Sequence, residues 1–187
     1  MKYYIIAGEA SGDLHGSNLI KEIIELDPNA DIRAWGGDKM QEAGAKIVKH
    51  FKDLAFMGFY EVLINIRTIL KNISFCKKDI LEFSPDKIIF IDYPGFNMRI
   101  AKWSKKYKFE TIYYIAPQLW AWNEKRINEI KKYINSLYVI LPFEKEFFES
   151  KHNYPVKFLG HPLLDSIEEF KSNILDNADL FIIDINL

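Results

Sequence analysis

The chain has 187 residues, with 25 Lys and Arg against 26 Asp and Glu, so its formal net charge is -1 with the four His neutral. That balance excludes a general nucleic-acid binder, whose affinity comes from neutralising phosphates, and 49% hydrophobic with 27% charged residues is a globular rather than a disordered composition. A single cysteine, Cys76, excludes an intramolecular disulfide and any multi-cysteine metal site, and fits a reducing, cytoplasmic setting.

The apolar run Tyr3–Ala7 is short, closed by Gly8 and interrupted at once by Glu9. It reads as a buried strand, being too short for a signal peptide. Leu14, Leu19, Ile20, Ile23, Ile24 and Leu26 recur at helical spacing until Asp27-Pro28-Asn29 stops them. Asp31–Trp35 is a second strand, followed by a short helix over Asp38–Ala43 and a brief strand at Ile47-Val48. One long amphipathic helix is predicted over Tyr60–Phe83, ended by Ser84-Pro85. The almost wholly apolar Lys87–Ile91 is a strand, Asp92–Asn97 a turn, and a helix runs through Ala101 and Trp103 towards Tyr107. Thr111–Ile115, Leu137–Leu141 and Val156–Leu159 complete the strands, separated by a loop at Pro117–Trp122 and helices over Asn123–Tyr133 and Phe143–Ser150.

Strands that are apolar on both faces and alternate with helices imply α/β architecture, a doubly wound parallel sheet of Rossmann-like form. The expected domain is residues 1–171. Residues 172–187 read either as a linker and the start of a further domain or as a segment packing back. No apolar stretch of roughly 18 residues offers a membrane span.

Ligands of open α/β sheets bind beyond the carboxyl ends of the strands, so the strand exits are the candidate sites. The first, Gly8-Glu9-Ala10-Ser11-Gly12-Asp13, lacks both the dinucleotide fingerprint and the P-loop lysine. Its two carboxylates would repel phosphate but accept hydrogen bonds from sugar hydroxyls; alternatively, Ser11 or Asp13 caps the helix. In Asp92-Tyr93-Pro94-Gly95-Phe96-Asn97, an acid at the end of an apolar strand is partly desolvated, which raises its pKa and makes it a better base. Asn97 there stands where a helix cap would. The exit Pro117-Gln118-Leu119-Trp120-Ala121-Trp122 sets Gln118, Trp122 and Arg126 near one another, a combination suited to sugar rings and phosphate or to plain packing. His161 is either a general base, a phosphate donor or structural. The histidines show no metal-ligand spacing, and no metal or other cofactor is expected. Phe56, Met57, Phe59 and Tyr60 exceed what one core-facing stripe needs, and read as core or as a patch for acyl chains or a membrane surface.

Six segments follow in order: Gly8–Asp13, Met57–Leu63, Asp92–Asn97, Pro117–Trp122, Leu141–Glu144 and Gly160–Leu163. Over about residues 1–166 the chain resembles lipid-A-disaccharide synthase, an inverting GT-B glycosyltransferase of lipopolysaccharide assembly. The resemblance implies transfer from UDP-2,3-diacylglucosamine to 2,3-diacylglucosamine 1-phosphate (lipid X), forming a β-1,6 linkage and releasing UDP, at the cytoplasmic face of the inner membrane as a peripheral protein. It implies two Rossmann-like domains, the first handling the acyl sugar and the second making most UDP contacts. Asp92 matches the family's acidic catalytic position, with Asp13 as second candidate. Glu9, Ser11 and Gly12 match the loop at the inter-domain cleft, and the stretch around Met57 matches the membrane-facing patch. Asn97, Gln118, Trp122, Arg126 and His161 are expected to orient substrate.

The family continues into a second domain opening with a Leu-Pro-Gly-Ser-Arg loop that this chain does not contain. The expectation is an N-terminal, acceptor-side half, inactive by itself: either a truncated or split gene product, or one whose other half a separate chain supplies. The rival readings are a non-catalytic acyl-sugar or membrane-binding module, a decayed remnant, or an unrelated nucleotide-binding protein.

Overall fold

The computed structural model describes residues 1–53, 66–164, 167, 168 and 171. In chain order these form β1 (Lys2–Ala7), α1 (Ala10–Leu26), β2 (Asp31–Gly36), α2 (Asp38–Glu42), β3 (Lys46–His50), α3 (Ile66–Phe83), β4 (Lys87–Ile91), α4 (Pro94–Ser104), β5 (Glu110–Ile115), α5 (Leu119–Trp122), α6 (Ile127–Tyr133), β6 (Ser136–Val139), α7 (Pro142–Glu146) and β7 (Lys157–Phe158). The described strands make one sheet in the order β3-β2-β1-β4-β5-β6-β7, every pairing parallel. This is the doubly wound sheet expected from the sequence.

Side chains alternate across each strand, so one strand feeds two cores. Tyr4, Ile6, Trp35, Ile88, Phe90 and Tyr113 face α3, α4 and α6, where Ile73, Ile80, Phe96, Ile100 and Ile130 meet them. Ile5, Ala7, Ala34, Ile89 and Ile91 face Ile20 of α1 and Met40 of α2. Gly12 lets α1 lie against the end of β1, since a Cβ there would fall 2.9 Å from the Ala7 Cβ.

Several boundaries differ from the sequence reading. The Asp92–Asn97 segment is not a turn throughout: α4 begins at Pro94, whose fixed φ suits a first helical position. Asn97 is therefore inside the helix rather than its cap. The Pro117–Trp122 loop contains the single helical turn α5, and the helix expected over 143–150 divides into α7 and a π-turn over Phe147–Lys151. Residues 60–65 of the long helix, the patch residues Phe56, Met57, Phe59 and Tyr60, and the tail 172–187 lie outside the described residues.

The larger core contains a polar chain. The Trp35 indole donates to the Tyr4 hydroxyl at 2.9 Å, and that hydroxyl donates to Asp79 Oδ2 at 2.8 Å. Arg33 pairs with the other Asp79 oxygen at 2.7 Å. This ties α3 to β1 and β2. Tyr4→Phe leaves a buried indole N–H without its acceptor and is expected to cost about 1–3 kcal/mol in urea unfolding, with an unchanged m-value.

Candidate active site

In the sheet order, β1 has β2 on one side and β4 on the other, and the chain reverses its direction of winding between β1 and β4. Such a switch point opens a crevice beyond the strand ends. The register Ile6↔Phe90 and Ala7↔Ile91 brings the exits of β1 and β4 side by side. Glu9 and Asp92 stand at those two exits, close enough for the charge of Glu9 to act on the Asp92 carboxyl. Partial burial pushes the Asp92 carboxyl up to about 6, and the negative charge of Glu9 adds to the rise. The desolvation expected for this acid is present, with the neighbouring carboxylate as a second cause.

The backbone that presents Asp92 is strained. Asp92 and Tyr93 have φ of 41° and 48°, in the left-handed region that non-glycine residues occupy at about 1–3 kcal/mol each. Neighbouring groups hold them there. The Asp92 carbonyl accepts from Asn97 Nδ2 at 2.7 Å and from the Tyr113 hydroxyl at 2.6 Å. The Tyr93 carbonyl accepts from the Asn97 backbone N–H at 3.0 Å. The Tyr93 ring stacks on Phe96 with centroids 5.5 Å apart and lies over Gly8, where a Cβ would fall 2.3 Å from it. Gly8 is thus required by the close approach of this ring. Burial raises the Tyr113 hydroxyl well above its ordinary pKa, with the Asp92 charge adding to the rise, so it stays a donor.

Asp92 also lines a pocket of about 340 Å³ with Pro94, Ile115, Ala116, Gln118, Ile140 and Glu144, a volume at the low end of small-molecule sites. Trp120 and Phe143, both partly exposed, meet edge-to-face at 4.9 Å, and the Trp120 indole donates to Glu144. A second pocket of about 260 Å³ is lined by Tyr114, Ile140, Leu159, Gly160, His161, Pro162 and Leu164, so the two have Ile140 in common. The His161 ring lies 6.3 Å from that of His15. Burial, with His161 adding to it, lowers the His15 pKa, so the imidazole there is favoured neutral.

Other residues singled out in the sequence have different places. Asp13 is 4% exposed and accepts from the N–H groups of Gly37, Lys39 and Met40 at 2.7, 3.2 and 3.1 Å. It caps α2 from α1, rather than serving as a base or capping its own helix, because its oxygens are occupied by three backbone donors. Asn97 is fully buried, donating to the Ile6, Ile91 and Asp92 carbonyls, and braces the site instead of touching a ligand. Gly12 is buried against Ala7, so its lack of a side chain serves packing. Ser11 is exposed in the first turn of α1, and Gln118 is exposed on the wall of the Asp92 pocket. Arg126 is half-buried, and its charge bears on Tyr113 below the Asp92 carbonyl. The Trp122 side chain lies outside the described residues. Tyr113 and Glu144 were not among the sequence candidates. Glu144 was legible as a helix-start residue, whereas Tyr113 reads as one more core aromatic.

The family model for lipid-A-disaccharide synthetase matches residues 3–186. The chain belongs to the lipid-A-disaccharide synthase family. It is 44% identical over 163 residues to the lipid-A-disaccharide synthase of Geobacter metallireducens, 41% over 162 residues to that of Coxiella burnetii and 39% over 168 residues to lipid-A-disaccharide synthase 1 of Legionella pneumophila. These alignments take in 87%, 87% and 89% of this chain but 42%, 43% and 44% of the relatives, in their N-terminal part. Among solved structures, the fold is similar to UDP-GlcNAc 2-epimerase from Neisseria meningitidis bound to UDP-GlcNAc, with a TM-score of 0.64 at 13% identity over 95% of this chain and 52% of that one. The corresponding epimerase of Rickettsia bellii gives 0.62 at 12% identity over 94% and 48%. At such identity the likeness concerns the fold. Among the described residues no helix is long and apolar enough to cross a membrane, and no three His, Cys, Asp or Glu side chains gather to hold a metal ion.

The Asp92 carboxyl binds its proton more tightly in the fold than in the unfolded chain, so its ionisation opposes folding as pH rises from about 4 to about 6. Asp92→Asn removes that opposition. Its stability relative to the parent is expected to be level below pH 4 and to grow to a gain of about 1–2 kcal/mol above pH 6, the linkage value being reduced by solvent access to the site. Urea titrations at pH 3.5, 5 and 7.5 measure this.

Proposed function

We propose that the chain is the acceptor-side domain of a lipid-A-disaccharide synthase, with Asp92 as general base. The observation that carries this reading is the Glu9–Asp92 pair at the switch point, opening on the pocket that Gln118 also lines. In the proposed step Asp92 takes the proton from the 6-hydroxyl of lipid X while that oxygen attacks the anomeric carbon of UDP-2,3-diacylglucosamine. The new C–O bond forms on the face opposite UDP, the bond to the diphosphate breaks, and UDP leaves with the electron pair. Burial, with the charge of Glu9 adding to it, keeps the Asp92 proton affinity high enough for useful base strength near neutral pH. The donor's nucleotide is assigned to the domain that lies in the part of the relatives beyond the alignment.

The amphipathic acceptor fits the surroundings of Asp92. Polar groups face the pocket, and the partly exposed Trp120 and Phe143 stand beside it for the apolar portion of the ligand. Peripheral association with the cytoplasmic face of the inner membrane belongs to the same proposal. It is supported by exposed Leu70 and Phe75 on α3, which follows the apolar stretch around Met57, and by the nearby Arg67 and Lys71.

The test joins this chain to the C-terminal part of the Geobacter metallireducens relative and measures transfer to lipid X. Asp92→Asn is expected to lower kcat by about 10²–10⁴-fold with the fold intact. Activity should fall on the acid side near pH 6, and Glu9→Gln, by removing a neighbouring negative charge, should move that limb to lower pH. Near-parent activity in Asp92→Asn would remove Asp92 from the role.

A further inference from the structure

Glu144 is 1% exposed and has no cation beside it among the hydrogen bonds and ion pairs of the described residues. One oxygen, Oε2, accepts from the Ile140 and Leu141 N–H groups at 3.1 and 2.9 Å, closing the start of α7. A capping glutamate needs no more than this. Here the other oxygen, Oε1, is turned inward to the Trp120 indole N–H at 3.2 Å. Trp120 belongs to α5, beyond the exit of β5, whereas Glu144 follows the exit of β6. The carboxylate therefore joins two strand-exit segments, and both border the pocket that contains Asp92 and Gln118.

Other attachments make this contact the adjustable one. Ala116 is fixed by its N–H to the Tyr138 carbonyl at 3.2 Å, and Leu119 is anchored in the core at 1% exposure. Trp120 is 39% exposed and Phe143 47%, and the contacts that orient the indole include their mutual edge contact and the bond to Glu144. A large ring with one charge-assisted hydrogen bond adopts one orientation rather than several.

We propose that Glu144 is a positioning residue for the acceptor. It fixes the Trp120 indole, and with it the 117–122 wall of the Asp92 pocket, in the orientation that receives the acyl amino-sugar. This rests on the acceptor-side reading above and adds a residue to it.

Two substitutions separate the cap from the latch. Glu144→Gln retains a carbonyl oxygen for the Ile140 and Leu141 donors but turns an NH₂ towards the indole N–H, so donor faces donor. Trp120→Phe removes the indole donor and leaves the cap untouched. In the 187-residue chain, lipid X affinity is measured by calorimetry and exchange of the Trp120 indole N–H by NMR. Each variant is expected to bind lipid X roughly ten-fold more weakly, the double variant no more weakly than either, and Glu144→Gln to exchange its indole proton at least about ten-fold faster. A purely structural role would lower melting temperature without this non-additive pattern in binding. Unchanged exchange in Glu144→Gln, unchanged affinity in Trp120→Phe, or losses that add in the double variant would overturn the proposal. Failure of the parent chain to bind lipid X would count against the acceptor-side reading instead, and the exchange comparison would still decide whether Glu144 holds the indole.

Discussion

The backbone carbonyl of Asp92, held by Asn97 and Tyr113, is the contact on which the site depends. Two consecutive non-glycine residues in left-handed conformation do not persist by local preference. They persist because a fully buried amide and a buried phenol converge on one oxygen, while the Tyr93 ring fits over Gly8. The result is a turn that ends β4 abruptly, begins α4 within two residues and points a carboxyl group back towards the end of β1. Without that reversal Glu9 and Asp92 would be two acids on neighbouring loops. With it they form a pair, and burial and mutual repulsion give one of them the proton affinity of a base that works near neutrality.

Much of the fold was legible because its strands are apolar on both faces and its helices have one apolar stripe. The seven described strands fall where the apolar runs predicted, and parallel pairing follows from the alternation of strand and helix. The misread boundaries have local causes. Pro94 starts α4 earlier than the polar turn composition suggested, and the helix expected from Phe143 changes to a π-turn at Phe147. The electrostatics were legible where one residue's position sufficed: the desolvation of the Asp92 carboxyl was read from its place after Lys87–Ile91. It was not legible where distant chain segments meet. The three donors on Asp13 come from Gly37 and the first turn of α2, 24 to 27 residues away, and the bond from Trp120 reaches Glu144 across 24 residues. Asn97 looked like a cap because Asn favours caps; its burial and its three carbonyl partners are set by tertiary packing.

The strand ends carry different tasks along the edge. Asp13 ties α1 to the start of α2, Asn97 and Tyr113 brace the reactive turn, and Glu144 joins the exits of β5 and β6. Among the described residues, Glu9, Asp92 and Gln118 are at least partly exposed at the exits of β1, β4 and β5, and Trp120 and Phe143 are exposed beyond β5 and β6. The chain spans about two-fifths of the length of its relatives.

The proton affinity of Asp92 is the central claim, and carboxyl carbon chemical shifts of the 187-residue chain followed from pH 3 to pH 9 measure it directly. Asp92 should titrate near 6 in the parent chain and distinctly lower in Glu9→Gln. A titration near 4 in the parent, unmoved by Glu9→Gln, would contradict the account.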